Sequence, residues 1–429
     1  MTLGRRLARF SACLWILGGE ANGFVMTLTF KNAIPFICLI AALAMAPVAP
    51  EASNALFLVA SAIGLFLIWP QVTIEFGRPI MWMPLAGLLL IGLAYVISAG
   101  PAGLEGLLYF LPLLAIVPLV TLLKGFESSS LAAWTGLLAL CGTAGAAVMA
   151  IFEVQTTGTN RAGTLVANPI HFADVVLLVS FCALVGVLSS RHWARYLFLS
   201  VPIVAVVPII LSGTRGAIVA AVAMFGVMAL VAALTRLLPR RIVLLGIVAL
   251  VILAVLALAL GASSLSGVQR VLIDISDTFA HGAPTDYSTD LRLQMYLGGF
   301  RAFLDAPIFG HGPFAFTTVA NSMADGSFAG TPHLHNDLID LAASAGTLGI
   351  IAYGLIVLAP IVEALRMPKS TLRRWTITLT TTLISGFVAM GLTNAMFGIL
   401  AVTIAFATIC VLTGVIAGWG GSEAEHHAS

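Results

Sequence analysis

His333-Leu334-His335-Asn336-Asp337 ends the only long stretch of the chain that is not apolar. That stretch runs from Ala262 to about Gly349, and on either side the sequence reads as membrane helix. From Ala262 to Asn336 it holds Arg270, Arg292 and Arg301, four histidines (His281, His311, His333, His335) and a cluster of aspartates. Polar residues are scarce elsewhere, so the chemistry is expected here.

The whole chain sets this contrast. Of 429 residues, 60% are hydrophobic and 9% charged, and the mean hydropathy is +1.07. A soluble protein carries about 25% charged residues. The excess predicts an all-α polytopic membrane protein. A net charge of +2, with no basic stripe, gives no sign of nucleic acid. Cys13, Cys38, Cys141, Cys182 and Cys410 lie in apolar runs without CxxC spacing, so disulfides and zinc are both disfavoured.

Apolar runs able to cross about 30 Å of hydrocarbon fall near 33–49, 54–70, 80–98, 103–123, 131–151, 170–189, 194–211, 216–235, 242–261, 338–365, 374–395 and 397–418. These predict about twelve transmembrane helices and one large outer loop containing short helices. Residues 10–29 carry Gly18, Gly19, Glu20, Asn22 and Gly23 at their middle, which suits an interfacial or re-entrant segment. The expected organisation is an N-terminal cytoplasmic or interfacial segment (1–32) and nine spans (33–261). The catalytic loop (262–337), three spans (338–418) and a cytoplasmic tail (419–429) follow. The N-terminal segment lacks a short apolar core with a small-residue cleavage site and is read as retained.

Lysine and arginine placement orients the bundle. A cytoplasmic N-terminus puts 15 of the 20 inside, and leaves Arg161, Arg215, Arg270, Arg292 and Arg301 outside. Both termini are then cytoplasmic, and the loop is periplasmic or extracellular. The outside arginines resist the usual bias, so each needs a reason. Arg161, Arg215 and Arg292 are expected at the membrane surface. Snorkelling to the interface explains any one of them; three on one face favour a shared anionic ligand. The arginine fork matches phosphate oxygens two at a time, which points to a diphosphate whose lipid lies in the bilayer.

His335, just before a helix, is the natural proton acceptor; the alternative is a surface histidine bonded to its own loop. His333 is a neighbouring partner or the base itself. A metal is disfavoured, because no third and fourth ligand accompany His333 and His335. His171 and Asp174 are candidates to line the same site. Asp337 and Asp340 suit the first turns of a helix, and His281 and His311 read as loop residues.

These residues resemble a family. His335-Asn336, nine residues, Gly346, two residues and Gly349 fit the His-[Asn/Ser/Gln]-x9-Gly-x-x-[Gly/Thr/Tyr] pattern of the O-antigen ligase and O-antigen polymerase-like superfamily. Asp290-Leu291-Arg292 followed by Gly310-His311-Gly312-Pro313 resembles its arginine-bearing helix and glycine turn. Ser212-Gly213-Thr214-Arg215-Gly216 resembles its Ser-x-x-Arg-Gly turn.

The resemblance implies a GT-C-like, inverting, metal-independent glycosyl transfer without cofactors, at the periplasmic face of a bacterial inner membrane. The donor would be a glycan on undecaprenyl diphosphate and the acceptor a sugar of lipid A-core. Arg161, Arg215 and Arg292 would bind the diphosphate, with His333 and Asn336 also contacting substrate. Arg215 and Arg292 would stabilise the leaving group, and His335 would deprotonate the acceptor. A polymerase or a protein O-oligosaccharyltransferase would use the same residues. A transporter or flippase would instead place charges near the bilayer midplane.

Overall fold

A computed structural model of the chain describes residues 30–68, 76–123, 128–189, 193–238, 241, 287–324 and 326–426. The expected span at 242–261, the candidate at 10–29, Arg270 and His281 lie outside the described residues.

Among the described residues the structure is helical, without strands. In chain order the helices are α1 (Phe30–Met45), α2 (Pro50–Ile68), α3 (Pro79–Ala99), α4 (Pro101–Leu123) and α5 (Ser128–Thr157). Then come α6 (Pro169–Leu188), α7 (Trp193–Ser212) and α8 (Arg215–Leu234). Between α8 and α11 the described residues hold α9 (Tyr287–Asp305) and α10 (Gly312–Ser322). The chain closes with α11 (Asp337–Arg366), α12 (Thr371–Gly391) and α13 (Leu400–His426).

Nine of these described helices are long and apolar enough to cross a membrane: α2 to α8, α11 and α13. The apolar part of α1, Ala33–Met45, is shorter. Twelve spans were expected. α12 has the length, with 21 residues, but its threonine-rich first half lowers its hydropathy. Those hydroxyls are satisfied within the bundle. Thr376, Thr378 and Thr382 donate to carbonyls four residues back, and Thr380 bonds Thr413 of α13 at 3.1 Å. Such bonds let polar side chains sit between membrane helices.

Charged residues sort to the two ends of the bundle. At one end, Arg78 donates to Glu363 (2.7 Å), Arg366 to the Gly77 carbonyl (3.3 Å) and Arg374 to the Arg236 carbonyl (3.2 Å). α11 runs from that end to the other, where Asp337 follows the His333–Asn336 motif.

α11 is not one smooth helix. Gly346 has φ 64 and ψ −149, which breaks it after Ala345. Glycine takes this conformation at little cost. The break admits the Pro307–Phe309 backbone: Thr347 donates to the Pro307 carbonyl through both its N–H and its hydroxyl, each at 2.8 Å. A Cβ on Gly346 would strike the Ile308 carbonyl. What approaches this glycine is the turn between α9 and α10. Gly349 packs back on the Leu341 carbonyl across the break.

Candidate active site at the mouth of the bundle

Three turns and the helix α9 meet around His335. Its backbone is left-handed, with φ 56, a region unusual for a residue with a side chain. Asn336 caps α11, its side chain accepting from the Leu338 and Ile339 N–H groups at 3.1 and 3.2 Å. Its amide nitrogen donates to the Leu392 carbonyl at 3.3 Å. The helix cap and the α12–α13 turn therefore occupy Asn336, which was expected to contact substrate.

α9 supplies the next wall. The Tyr296 hydroxyl lies 3.2 Å from the His335 carbonyl and 3.0 Å from that of Leu392. Arg292, one turn earlier, is half-buried and within electrostatic reach of His335, Tyr296 and Asp174. Burial and then Arg292 hold the His335 imidazole below its ordinary value, against a hydrogen bond to the Asn394 oxygen that raises it. The ring is therefore neutral near pH 7, as a general base must be. Burial raises the Tyr296 hydroxyl, which stays protonated as a donor.

His333 stands edge-on to His335, ring centroids 4.4 Å apart at 86°. Burial, reinforced by His335 and His171, pushes it down to about 4. Its Nδ1 is buried without a hydrogen-bond partner among the described residues.

The Arg161 side chain is tied to the turn that precedes Arg215. The Arg161 Nε donates to the Ser212 carbonyl at 3.0 Å, three residues before Arg215. The Arg161 loop is itself held by the buried Glu153 carboxylate, which accepts the Gly163, Thr164 and Leu165 N–H groups. Thr214, preceding Arg215, donates to the Pro169 carbonyl at the start of α6 (3.1 Å). Gly216 lies so close to Thr393 that a Cβ there would sit 2.6 Å from its hydroxyl. The next residue, Asn394, reaches His335, His171 and Asp174. Arg161, Arg215, Arg292 and His335 are thus linked through adjoining turns at helix ends, away from mid-span. His171 and Asp174, in the first turns of α6, belong to the same cluster.

The α12–α13 turn is anchored from below. Asp337 accepts the Met396 and Phe397 N–H groups at 2.7 and 3.2 Å. Phe397 stacks among Phe387, Phe406 and Phe110, with centroids 4.9, 5.3 and 5.6 Å away. Asn394 and Tyr296 were not singled out in the sequence. The available signal for Asn394 was its place as a lone amide between two apolar runs. His311, by contrast, is structural: its ring bonds the Ala302 carbonyl at 2.9 Å. Arg301 likewise bonds the Met323 carbonyl at 2.7 Å.

Residues 201–354 match the family model described as O-antigen ligase. Over that segment the chain is similar to the O-antigen ligase family. The matched segment contains Arg215, Arg292, His333, His335, Asn336 and Gly346. Arg161, His171, Asp174 and Asn394 fall outside it, although the fold brings them against the same segment. The O-antigen ligase family is one of membrane glycosyl transfer of the ligase or polymerase type. No curated protein matches the chain.

Proposed function

We propose that this protein transfers an O-antigen glycan from undecaprenyl diphosphate to a sugar hydroxyl of lipid A-core, at the periplasmic face of a bacterial inner membrane. One observation carries this reading: three arginine-bearing elements and one neutral histidine adjoin at the same end of the bundle. A site for transport would need charge at mid-span, and these groups sit at helix ends.

His335 takes the proton of the acceptor hydroxyl as its oxygen attacks the anomeric carbon. The bond from that carbon to the diphosphate oxygen breaks, and the electron pair leaves with the diphosphate. Attack from the opposite side inverts the anomeric centre. Arg215 and Arg292 meet the charge developing on the leaving group. Arg161 supports them by holding the Ser212 turn and by adding its own charge. Asn336 fixes the helix start behind His335, and His333 packs edge-on against the His335 ring.

The test is transfer by purified protein, given a lipid-diphosphate-linked glycan and rough lipopolysaccharide. Glycan should appear on the lipopolysaccharide, and a well-expressed His335→Ala protein should be inactive. Growth of the lipid-linked glycan without lipopolysaccharide would make the protein a polymerase. Full activity of His335→Ala would remove the base.

A further inference from the structure

Asn394 touches three ionisable side chains at once. Its Nδ2 donates to Asp174 Oδ2 at 3.1 Å and to His171 Nδ1 at 3.2 Å, while its Oδ1 lies 3.4 Å from His335 Nδ1. A primary amide has two N–H donors and one oxygen that only accepts. Asp174 and His171 use both donors. His171 Nδ1, facing a donor, is therefore bare. His335 Nδ1, facing an oxygen, carries the hydrogen. In the orientation the structure shows, the amide nitrogen meets the Asp174 carboxyl and His171, and the oxygen meets His335. A neutral imidazole holds one ring proton. With that proton on Nδ1, the lone pair is on Nε2.

We propose that Asn394 is a positioning residue that holds His335 in the Nδ1–H tautomer and leaves Nε2 as the atom that accepts the proton. This rests on the reading of His335 as the base. The hydrogen bond made by one ring nitrogen decides which nitrogen is free. His335 is also fixed from behind, by Tyr296 at its carbonyl, and Asn394 is only 2% exposed, so water has little access to replace the amide.

An amide suits this task better than a carboxylate. It accepts the same hydrogen without a charge that would stabilise the imidazolium. Burial and Arg292, which lies within electrostatic reach of the ring, also disfavour the imidazolium. Asp174 and His171 face Asn394, Asp340 holds the adjoining Leu334, and Asp337 holds the turn that carries Asn394. The base can therefore release its proton after each transfer.

Full-length protein with 15N-labelled histidine, in lipid nanodiscs, reads the tautomer directly, with His335 assigned by comparison with His335→Ala. The expected spectrum shows a protonated Nδ1 and a bare Nε2 near neutral pH. Asn394→Leu keeps the bulk but removes the acceptor. It should lose that signature and reduce kcat at least ~10-fold, and by no more than the ~10²–10⁴ that a general base supplies, with little change in KM for a lipid-diphosphate-linked oligosaccharide. Asn394→Asp should restore the Nδ1–H and move the acid limb of the pH–rate profile to higher pH. A wild-type His335 protonated on Nε2, or an Asn394→Leu protein with wild-type kcat, overturns the proposal. If Asn394→Leu does not fold, the wild-type spectrum decides alone. Full activity of His335→Ala would instead sink the assignment of the base and leave the tautomer result standing.

Discussion

Asp340 accepts the backbone N–H of Leu334 at 2.7 Å, reaching six residues back along the chain. Leu334 lies between His333 and His335, so a carboxylate on the first turns of α11 holds the loop that carries both imidazoles. The helix cap at Asn336 and the Asp340 bond act on the same few residues from either side.

Removing that carboxylate should therefore loosen the site. Asp340→Ala is expected to cost about 1–3 kcal/mol, the penalty for leaving the Leu334 N–H without its partner, and to slow transfer. Asp340→Asn, which keeps an accepting oxygen, should retain more of both. Thermal unfolding in detergent, run beside the transfer assay, checks the order. Equal behaviour of the two variants would show that the bond to Leu334 matters little.

The arginines should not tolerate lysine. Arg215→Lys and Arg292→Lys keep a positive charge but lose the planar fork that binds two phosphate oxygens together. Transfer should fall at least ~10-fold in each, about the 1.4 kcal/mol that one lost hydrogen bond represents. A lysine variant with full activity would rule out bidentate diphosphate binding at that position.

Gly346→Ala should be poorly tolerated. The residue sits at φ 64, and a Cβ would meet the Ile308 carbonyl. Strained backbone of this kind costs about 1–3 kcal/mol, before the clash is counted. The variant should accumulate poorly or unfold at lower temperature, whereas Gly354→Ala, where a Cβ meets nothing within 4 Å, should behave like wild type. Similar stability in both would mean that α11 can close its break.

Acid should weaken the protein as well as its activity. An unfolded histidine titrates near 6.5, while folding holds His333 down to about 4 and lowers His335. Between those values the unfolded chain binds more protons, so stability falls as pH drops from about 6.5 towards 4. Above about 6.5 this loss is absent. Unfolding temperatures across that window should fall less steeply in His333→Asn. Activity should decline on the acid side as His335 gains its proton, with its midpoint below the ordinary histidine value.

Much of the fold was legible because a bilayer leaves few choices. Long apolar runs must satisfy their backbone groups internally, which makes them helices. α12 shows where hydropathy loses force: its threonines bond to their own helix and to Thr413, so a segment of middling apolarity still packs in the bundle. Gly346 was visible as part of a spacing pattern, but its left-handed backbone was not, because a spacing says nothing of which segment will press against it.

The sequence by itself determined a helical membrane protein, and it marked His335, Arg215 and Arg292 through short local motifs whose spacing a linear reading preserves. Only the tertiary structure decided what surrounds them. Asn394 lies 59 residues from His335 and 223 from His171, and no periodicity or local pattern joins them. Their meeting depends on which helix ends come to the same mouth, and that is settled by packing just beneath it, where Phe397 locks among its aromatic neighbours and Asp337 ties down the turn.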